Sequence, residues 1–208
     1  MNILAIDTTT NACSAAVLTN NVTHEDYELA PRAHTQLLLP MIERVLQTAE
    51  IKREALDAVA YINGPGSFTG IRIATSVAQG ISLGLGIPVI PVSSLLVLAC
   101  GARRETDCLE ILPCIDARRG QIYWAHYSFD THANLPRVRK EDTLGAASEL
   151  LSYQPPGSLI FGTGFDEADV PPRYPRAGDA LQVAAQRLAQ QQTNAPGEAT
   201  AVYFRRGL

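Results

Sequence analysis

Long hydrophobic runs are missing from this 208-residue sequence, because no stretch reaches the roughly 18 apolar residues that a membrane-spanning helix needs. No basic region precedes an apolar stretch at the N-terminus, so we expect no secretory signal. The four cysteines form no Cys-x-x-Cys pair and do not suggest a disulfide framework. Together these absences predict a cytoplasmic protein with reduced thiols and no membrane contact.

Positive charge is also scarce. Lys and Arg number 17 against 21 Asp and Glu, which gives a net charge of −4. Phosphate contacts need concentrated positive charge, so a stand-alone nucleic-acid binder is not expected, and any work on RNA would need a more basic partner. The hydrophobic fraction of 46% is enough to form a core and excludes wholesale disorder.

Residue patterns for metal or nucleophilic chemistry are absent as well. The histidines show no His-x-x-x-His spacing, so no metal site is indicated. No Ser/His/Asp or Cys/His set can be assigned without inventing geometry. We therefore name no catalytic residue.

The apolar pattern predicts an α/β protein in two halves. An apolar strand at residues 3–6 ends at Asp7, and a similar strand ends in the Ile-Asp pair at Asp116, 109 residues later. This echo suggests an N-terminal lobe, 1–104, and a shortened C-terminal lobe, 105–208, whose tail packs back on the first. Helices are expected at 35–49, after Gly70, after Ser93, at 143–151 and at 178–192.

The loop at 64–70, Gly-Pro-Gly-Ser-Phe-Thr-Gly, lies between a predicted strand and a predicted helix. It lacks the Gly-Lys-Ser/Thr ending of a phosphate-binding Walker loop and the third glycine of the dinucleotide fingerprint. Two interpretations stay open, namely direct anion binding and a tight turn at a packing surface. Thr69 and Thr35 are the expected caps of the two neighbouring helices, and Pro40 is expected to kink the first helix or to mark its start.

The helix after this loop carries small residues at four-residue spacing. Mid-helix glycine costs about 1 kcal/mol relative to alanine, so close approach of another backbone is a natural compensation. One interpretation is burial against its own sheet, and the other is docking of a second subunit. For docking, we predict an interface on two helices formed by His34, Leu38, Met41, Ile42, Val45, Ile73, Ala74, Val77, Ala78, Gly80, Ile81 and Gly84.

A second candidate site lies where the predicted strands end. A carboxylate at Asp7 or Asp116 could hold Mg²⁺ or a nucleotide phosphate through water, and Gly162-Thr163-Gly164 could let a base or ribose approach the backbone. Capping and turn roles explain the same residues equally well. The candidate nucleotide-binding residues are Asp7, Thr8, Thr9, Asp116, Gly162, Thr163 and Gly164.

Taken together, several stretches resemble the bacterial TsaB (YeaZ) family. They are residues 3–8 (Ile-Leu-Ala-Ile-Asp-Thr), 32–36 (Arg-x-His-Thr-Gln), 64–72, 115–118 (Ile-Asp-Ala-Arg), 123–125 (Tyr-Trp-Ala), 162–164 and 202–205 (Val-Tyr-Phe-Arg). Residues 131–195 match only loosely.

The resemblance implies an actin/hexokinase/Hsp70-like (ASKHA) fold with two ribonuclease-H-like lobes facing a cleft. It also implies a non-catalytic scaffold role in making N6-threonylcarbamoyladenosine in tRNA, beside the catalytic subunit TsaD and the ATPase TsaE, with tRNA reached only through the complex. TsaD carries a His-x-x-x-His metal pair at places that hold Ser94 and Leu98 here, so glycoprotease activity is not expected. Self-association is expected when TsaD is absent.

Two other functional hypotheses remain. The chain could be an independent ATP-using enzyme, with ATP or ADP and Mg²⁺ in its cleft or at the partner interface, although the resemblance does not firmly imply any cofactor. Arg103, Arg104, Arg118 and Arg119 could also contact tRNA, since arginine outnumbers lysine 15 to 2 and suits phosphate recognition.

Overall fold

The structure is a computed structural model that describes residues 1–131, 135–165 and 172–204. Arg205, the last residue of the 202–205 stretch, lies outside these residues. The strands are Ile3–Asp7 (β1), Ala12–Thr19 (β2), Val22–Leu29 (β3), Ala58–Ile62 (β4), Val89–Val92 (β5), Glu110–Arg118 (β6), Gln121–Ser128 (β7), Arg137–Ala146 (β8) and Leu159–Gly162 (β9). The α-helices are His34–Thr48 (α1), Phe68–Leu85 (α2), Ser94–Glu105 (α3), Ala147–Tyr153 (α4) and Ala177–Ala189 (α5).

The first sheet has the strand order β3-β2-β1-β4-β5. Strands β1, β2 and β3 pair antiparallel as successive hairpins, whereas β4 and β5 continue the sheet in parallel with β1. All residues of β1, β2 and β4 are buried, because helices cover both faces of the sheet.

The second sheet repeats this topology as β8-β7-β6-β9, with β6 and β9 parallel and the other pairs antiparallel. Because β6 has the place of β1 and β9 the place of β4, the echo between residues 3–7 and 112–116 marks a true repeat of the fold. The boundary at residue 104 stays a prediction, since α3 packs against strands of both sheets.

Helices α1 and α2 cover one face of the first sheet and share one apolar core with it. The opposite face is covered by α5, with Val97 of α3 in the same core. Helix α5 therefore comes from the C-terminal half of the chain but packs on the first lobe. Within the described parts of the chain, no helix is long and apolar enough to cross a membrane.

Two predicted helix caps are wrong, and Pro40 does not mark the start of its helix. Helix α1 begins one residue before Thr35 and has Ala33 at its cap position, without a side-chain cap. Pro40 lies inside α1 on its exposed side, where water can hydrogen-bond to the carbonyl group that the proline leaves unpaired. Helix α2 is capped by Ser67, whose hydroxyl accepts a hydrogen bond from the Gly70 amide, and not by Thr69.

The prediction of a helix over residues 143–151 is also wrong in its first half. Residues up to Ala146 belong to β8, and only the following seven residues are helical. Strand β8 lies at the edge of its sheet and is rich in charged residues. Charged side chains prevent an edge strand from pairing with other chains, but they also mask the alternation of apolar residues that identifies a strand.

Candidate functional site

A cleft of about 1520 Å³ separates the two lobes. The first lobe contributes the turn at residues 9–11 and the glycine loop at 66–69. The second lobe contributes the β6–β7 hairpin at residues 114–123 and the turn at 162–164. These segments follow the ends of β1, β4, β6 and β9, so the repeated topology brings the ends of these four strands to the cleft.

Asp7, however, does not face this cleft. It is fully buried, and its Oδ1 accepts hydrogen bonds from the Thr9 amide (2.8 Å) and the Thr9 hydroxyl (2.7 Å). Its Oδ2 has no hydrogen-bond partner among the described residues. Burial raises the pKa of the Asp7 carboxyl to about 7, against the lowering effect of the Thr9 hydrogen bonds. Asp7 is therefore a structural carboxyl below the cleft floor.

The glycine loop seals the turn that follows Asp7. The Ser67 amide donates a 2.7 Å hydrogen bond to the Thr9 carbonyl, and the Thr8 hydroxyl donates a 2.6 Å bond to the Gly70 carbonyl. A β-carbon at Gly66 or at Gly70 would overlap the backbone of Thr9 or Thr8. The glycines serve close packing inside the protein, which favours the tight-turn interpretation of this loop over anion binding.

The matching turn of the second lobe is closed in a similar way. The Asp116 amide donates to the Thr163 hydroxyl (3.1 Å), and the Thr163 amide donates to the Cys114 carbonyl (2.9 Å). A β-carbon at Gly162 would overlap this same carbonyl. Asp116, which is partly exposed, forms an ion pair with Arg118 at 3.3 Å.

The predicted nucleotide residues are thus only partly brought together. Thr9, Asp116 and the 162–164 turn line the cleft, whereas Asp7 and Thr8 do not. A Mg²⁺ ion needs carboxylate or hydroxyl oxygens that reach it, and the buried Asp7 carboxyl cannot. The residues present do not fit a Mg²⁺–nucleotide held by this set.

The predicted partner interface divides between two sides of its helices. Seven of the named residues are buried inside the first lobe, where they pack on the sheet or, for His34, bond the Ala12 carbonyl through Nε2 (3.1 Å). They are His34, Leu38, Met41, Ile42, Val45, Ala74 and Ala78. As direct contacts these seven are corrected by the structure, because their side chains are not accessible to a partner.

The other five residues form one accessible flank of α2. Ile73, Val77 and Ile81 are half-buried, and Gly80 and Gly84 are exposed with no heavy atom within 4 Å of a β-carbon placed on them. We call these five residues the open flank. Gln79 on the other side of α2 donates a 2.7 Å hydrogen bond to the Gly197 carbonyl, so the C-terminal tail covers that side instead.

Sequence reasoning missed an exposed leucine of α1 and the contact of the tail with the second lobe. Leu39 of α1 is 54% exposed, and it lies about 140° around the helix from Arg44, which bonds Asp26 of β3 at 2.7 Å. The tail also contacts both lobes, because Tyr203 packs on Phe68 and Phe204 packs on Tyr123. An exposed leucine within an apolar helix and a short aromatic tail carry no period that would reveal these contacts.

The two positions at which TsaD carries its metal-binding histidines are buried in this protein. Ser94 and Leu98 are both buried on one side of α3, where the Ser94 hydroxyl contacts Thr9 Oγ1 at 3.3 Å and Leu98 packs in an apolar cluster. Neither side chain supplies an imidazole ligand. Within residues 1–131, 135–165 and 172–204, no group of three or more His, Cys, Asp or Glu side chains could hold a metal ion.

The comparisons with known proteins agree with this geometry. A family model described as TsaD, tRNA N6-adenosine threonylcarbamoyltransferase, matches residues 15–198. The protein named tRNA threonylcarbamoyladenosine biosynthesis protein TsaB from Escherichia coli (strain K12) is 38% identical over 222 residues, covering 99% of this chain and 95% of the relative. This chain belongs to the TsaB family.

Solved structures support the same assignment to the TsaB family. YeaZ from Pseudomonas aeruginosa has a TM-score of 0.87 at 32% identity, with 98% of this chain and 99% of that chain covered. A protein described as similar to the peptidase YeaZ, also from Pseudomonas aeruginosa, has a TM-score of 0.89 at 33% identity over the same shares. The family resemblance and the ASKHA-like α/β fold expected from the sequence are therefore confirmed.

Proposed function

We propose that this chain is the non-catalytic scaffold and activating subunit of the complex that makes N6-threonylcarbamoyladenosine in tRNA, and that it binds and stabilises TsaD. The role in tRNA threonylcarbamoyladenosine biosynthesis accompanies membership of the TsaB family. In this proposal TsaD supplies the catalytic metal site, TsaE joins the complex as its ATPase, and the work takes place in the cytoplasm.

The open flank is the observation that carries this proposal. It offers apolar side chains at Ile73, Val77 and Ile81 next to two exposed glycines with free space above them. Mid-helix glycine lowers the stability of an isolated helix, so its presence on an exposed surface fits a close helix–helix contact with a partner. Burial of apolar surface there contributes roughly 25 cal/mol per Å² before the costs of association.

The TsaB family fold suggests the form of this contact. Helices α1 and α2 lie side by side on one face of the sheet, and the family model of TsaD covers most of this chain. Two related helix pairs can pack as a four-helix bundle, and the same patch can pair with itself because an isologous contact needs one self-complementary surface. Self-association in the absence of TsaD belongs to the same proposal.

The test is co-purification of the full chain with TsaD after a change at Gly80. Gly80→Arg places a long charged side chain in the space above the flank and should abolish TsaD binding while the chain stays folded. Gly80→Ala is the matched control, because it adds one methyl group in open space and should retain binding. If Gly80→Arg binds TsaD as tightly as the wild type and unfolds as the wild type does, the open flank is not the TsaD interface.

The alternative of an independent ATP-using enzyme is decided by calorimetry on the isolated chain with Mg²⁺ and ATP. The burial of Asp7 and Thr8 argues against it. Low-micromolar binding together with ATP hydrolysis by the chain alone would replace the scaffold proposal with this enzyme.

A further inference from the structure

Three hydrogen-bonded side chains form a chain on the face of the second sheet that α4 covers. His126 of β7 lies between Glu110 of β6 and Tyr153 of α4. Its Nε2 is 2.5 Å from Glu110 Oε2, and its Nδ1 is 2.9 Å from the Tyr153 hydroxyl. His126 is only 5% exposed, whereas Tyr153 is 39% exposed. The chain therefore leads from a buried imidazole to a phenol that solvent can reach.

The direction of these hydrogen bonds follows from the carboxylate. An ionised carboxylate only accepts hydrogen bonds, so His126 donates from Nε2 to Glu110. In the neutral imidazole the other ring nitrogen is then an acceptor, and the Tyr153 hydroxyl donates to Nδ1. The imidazole is thus placed to take the proton of the phenol, and Glu110 orients the ring and stabilises the imidazolium that results. A nucleophile, a general base and an orienting carboxylate in this order are the arrangement of an activated hydroxyl.

A lysine and a tryptophan complete the surroundings of Tyr153. Its ring lies 5.2 Å from the Trp124 ring. Lys140 Nζ lies 5.5 Å from the centre of the Tyr153 ring and 4.9 Å from that of Trp124. The register between β7 and β8 shifts on both sides of the pair that Lys140 forms with His126, and such bulges often redirect a side chain beside a functional site. The lysine places a positive charge where negative charge would develop in a reaction of the phenol.

Tyr203 provides a comparison within the same chain. It is 43% exposed, close to the exposure of Tyr153, and its hydroxyl also has a hydrogen-bond partner. That partner is Arg72, whose Nε donates to the hydroxyl at 3.1 Å and cannot take a proton from it. The two tyrosines are similarly accessible, but of the two only Tyr153 has a general base.

We propose that Tyr153 is a nucleophilic site that accepts an acyl group from a small activated donor, such as a thioester or an acyl phosphate. The Tyr153 oxygen forms a bond to the acyl carbon, and the bond between that carbon and the leaving group breaks. The electron pair of the broken bond departs with the leaving group. The phenol proton moves to His126 Nδ1 and from there to the leaving group, so the imidazole returns to its neutral form and the product is an acylated Tyr153.

The test treats the full chain with 4-nitrophenyl acetate and locates the acetyl groups by peptide mass spectrometry, which separates tyrosine adducts from those on lysine or cysteine. Tyr153 should be acetylated at least about tenfold faster than Tyr203, because general-base assistance typically contributes roughly 10²–10⁴-fold. Tyr153→Phe retains the ring beside Trp124 and should remove this adduct without changing the labelling of Tyr203.

Two further variants separate the general base from its positioning residue. His126→Gln removes the base and should bring the acetylation of Tyr153 down to the rate of Tyr203. Glu110→Gln keeps a hydrogen-bond acceptor for Nε2 but removes the charge, so Tyr153 should react about tenfold more slowly while thermal unfolding stays as in the wild type. The acetylation rate of Tyr203 is the internal control in every variant.

Equal acetylation of Tyr153 and Tyr203 in the wild type would overturn the proposal, because the hydrogen bonds would then only satisfy a buried imidazole. Acetylation of Lys140 in place of Tyr153 would also overturn it, as would a wild-type rate in Glu110→Gln. The wild-type comparison needs no substitution, so it stays decisive if His126→Gln does not fold. The result is independent of TsaD co-purification, since none of these residues belongs to the open flank.

Discussion

Thr8 and Gly70 are joined in two ways. The Thr8 hydroxyl donates a 2.6 Å hydrogen bond to the Gly70 carbonyl, and the Thr8 carbonyl occupies the space that a β-carbon at position 70 would need. The turn after β1 and the first turn of α2 are thereby held as one unit. Backbones can pack this closely only where one residue is glycine, because glycine has no β-carbon.

We expect Gly70→Ala to destabilise the fold, because the added methyl group must displace the backbone of Thr8. The free energy of unfolding should fall by about 3 kcal/mol or more. Gly84→Ala is the control in the same helix, where open space and better helix propensity should raise it by up to about 1 kcal/mol. Urea unfolding measures both, and equal effects would contradict the role of Gly70.

Asp7→Asn should change how stability depends on pH. The pKa of Asp7 rises from 3.8 to about 7 on folding, so the folded state binds more protons between these values. The free energy of unfolding of the wild type therefore falls as pH rises from about 4 to 7. Asparagine stays neutral, so this contribution to the slope disappears, and the variant should gain up to roughly 4 kcal/mol over the wild type at pH 8.

Urea unfolding across this pH range checks the prediction. The wild type and the variant should become similar in stability only well below pH 3.8, where Asp7 is protonated in both states. An Asp7→Asn variant that is less stable than the wild type at pH 8 would show that the buried carboxylate charge itself stabilises the fold.

Ala78→Glu should unfold the chain instead of selectively blocking a partner. Ala78 is fully buried between α2 and the sheet, so a glutamate there buries a carboxylate without a partner and costs on the order of 3 kcal/mol or more. Gly80, two residues away, is exposed, and Gly80→Arg should leave the unfolding midpoint within a few degrees of the wild type. Circular dichroism distinguishes the two variants, and a cooperative wild-type melt of Ala78→Glu would contradict the burial.

Tyr61→Phe tests the attachment of the tail. The buried Tyr61 hydroxyl accepts from the Thr200 amide at 2.8 Å and donates to the Thr200 carbonyl at 3.1 Å. Losing both should cost about 1–2 kcal/mol and speed proteolysis of the tail. Tyr203→Phe loses one exposed hydrogen bond to Arg72 and should stay within about 0.5 kcal/mol. Equal protease sensitivity of the two variants would refute this anchoring role.

The sequence carried much of the architecture. Local apolar runs and their return after 109 residues predicted two related lobes, because a strand buried on both faces must be apolar along its whole length. Helix α2 was also found, as its start after the glycine loop and its end before Gly86 have strong local signals. Strand β8 was missed, because an edge strand with charged side chains lacks the periodicity that identifies a strand.

The candidate site was harder to predict, since it depends on which way each residue faces. Asp7 and Asp116 occupy equivalent places in the repeat, yet the first is buried under the glycine loop and the second is partly exposed. Ala78 and Gly80 belong to the same small-residue pattern, yet the first is buried against the sheet and the second is exposed. Such differences arise from contacts between distant segments, which no local pattern contains.

Tyr203 and Phe204 are neighbours in the chain but contact rings on different lobes. Consecutive Cα atoms are only about 3.8 Å apart, so a wide separation of the cleft walls must break at least one of these two ring contacts. The tail thus limits how far the two lobes can separate. Any ligand or partner that opens the cleft further has to break one of these ring contacts first.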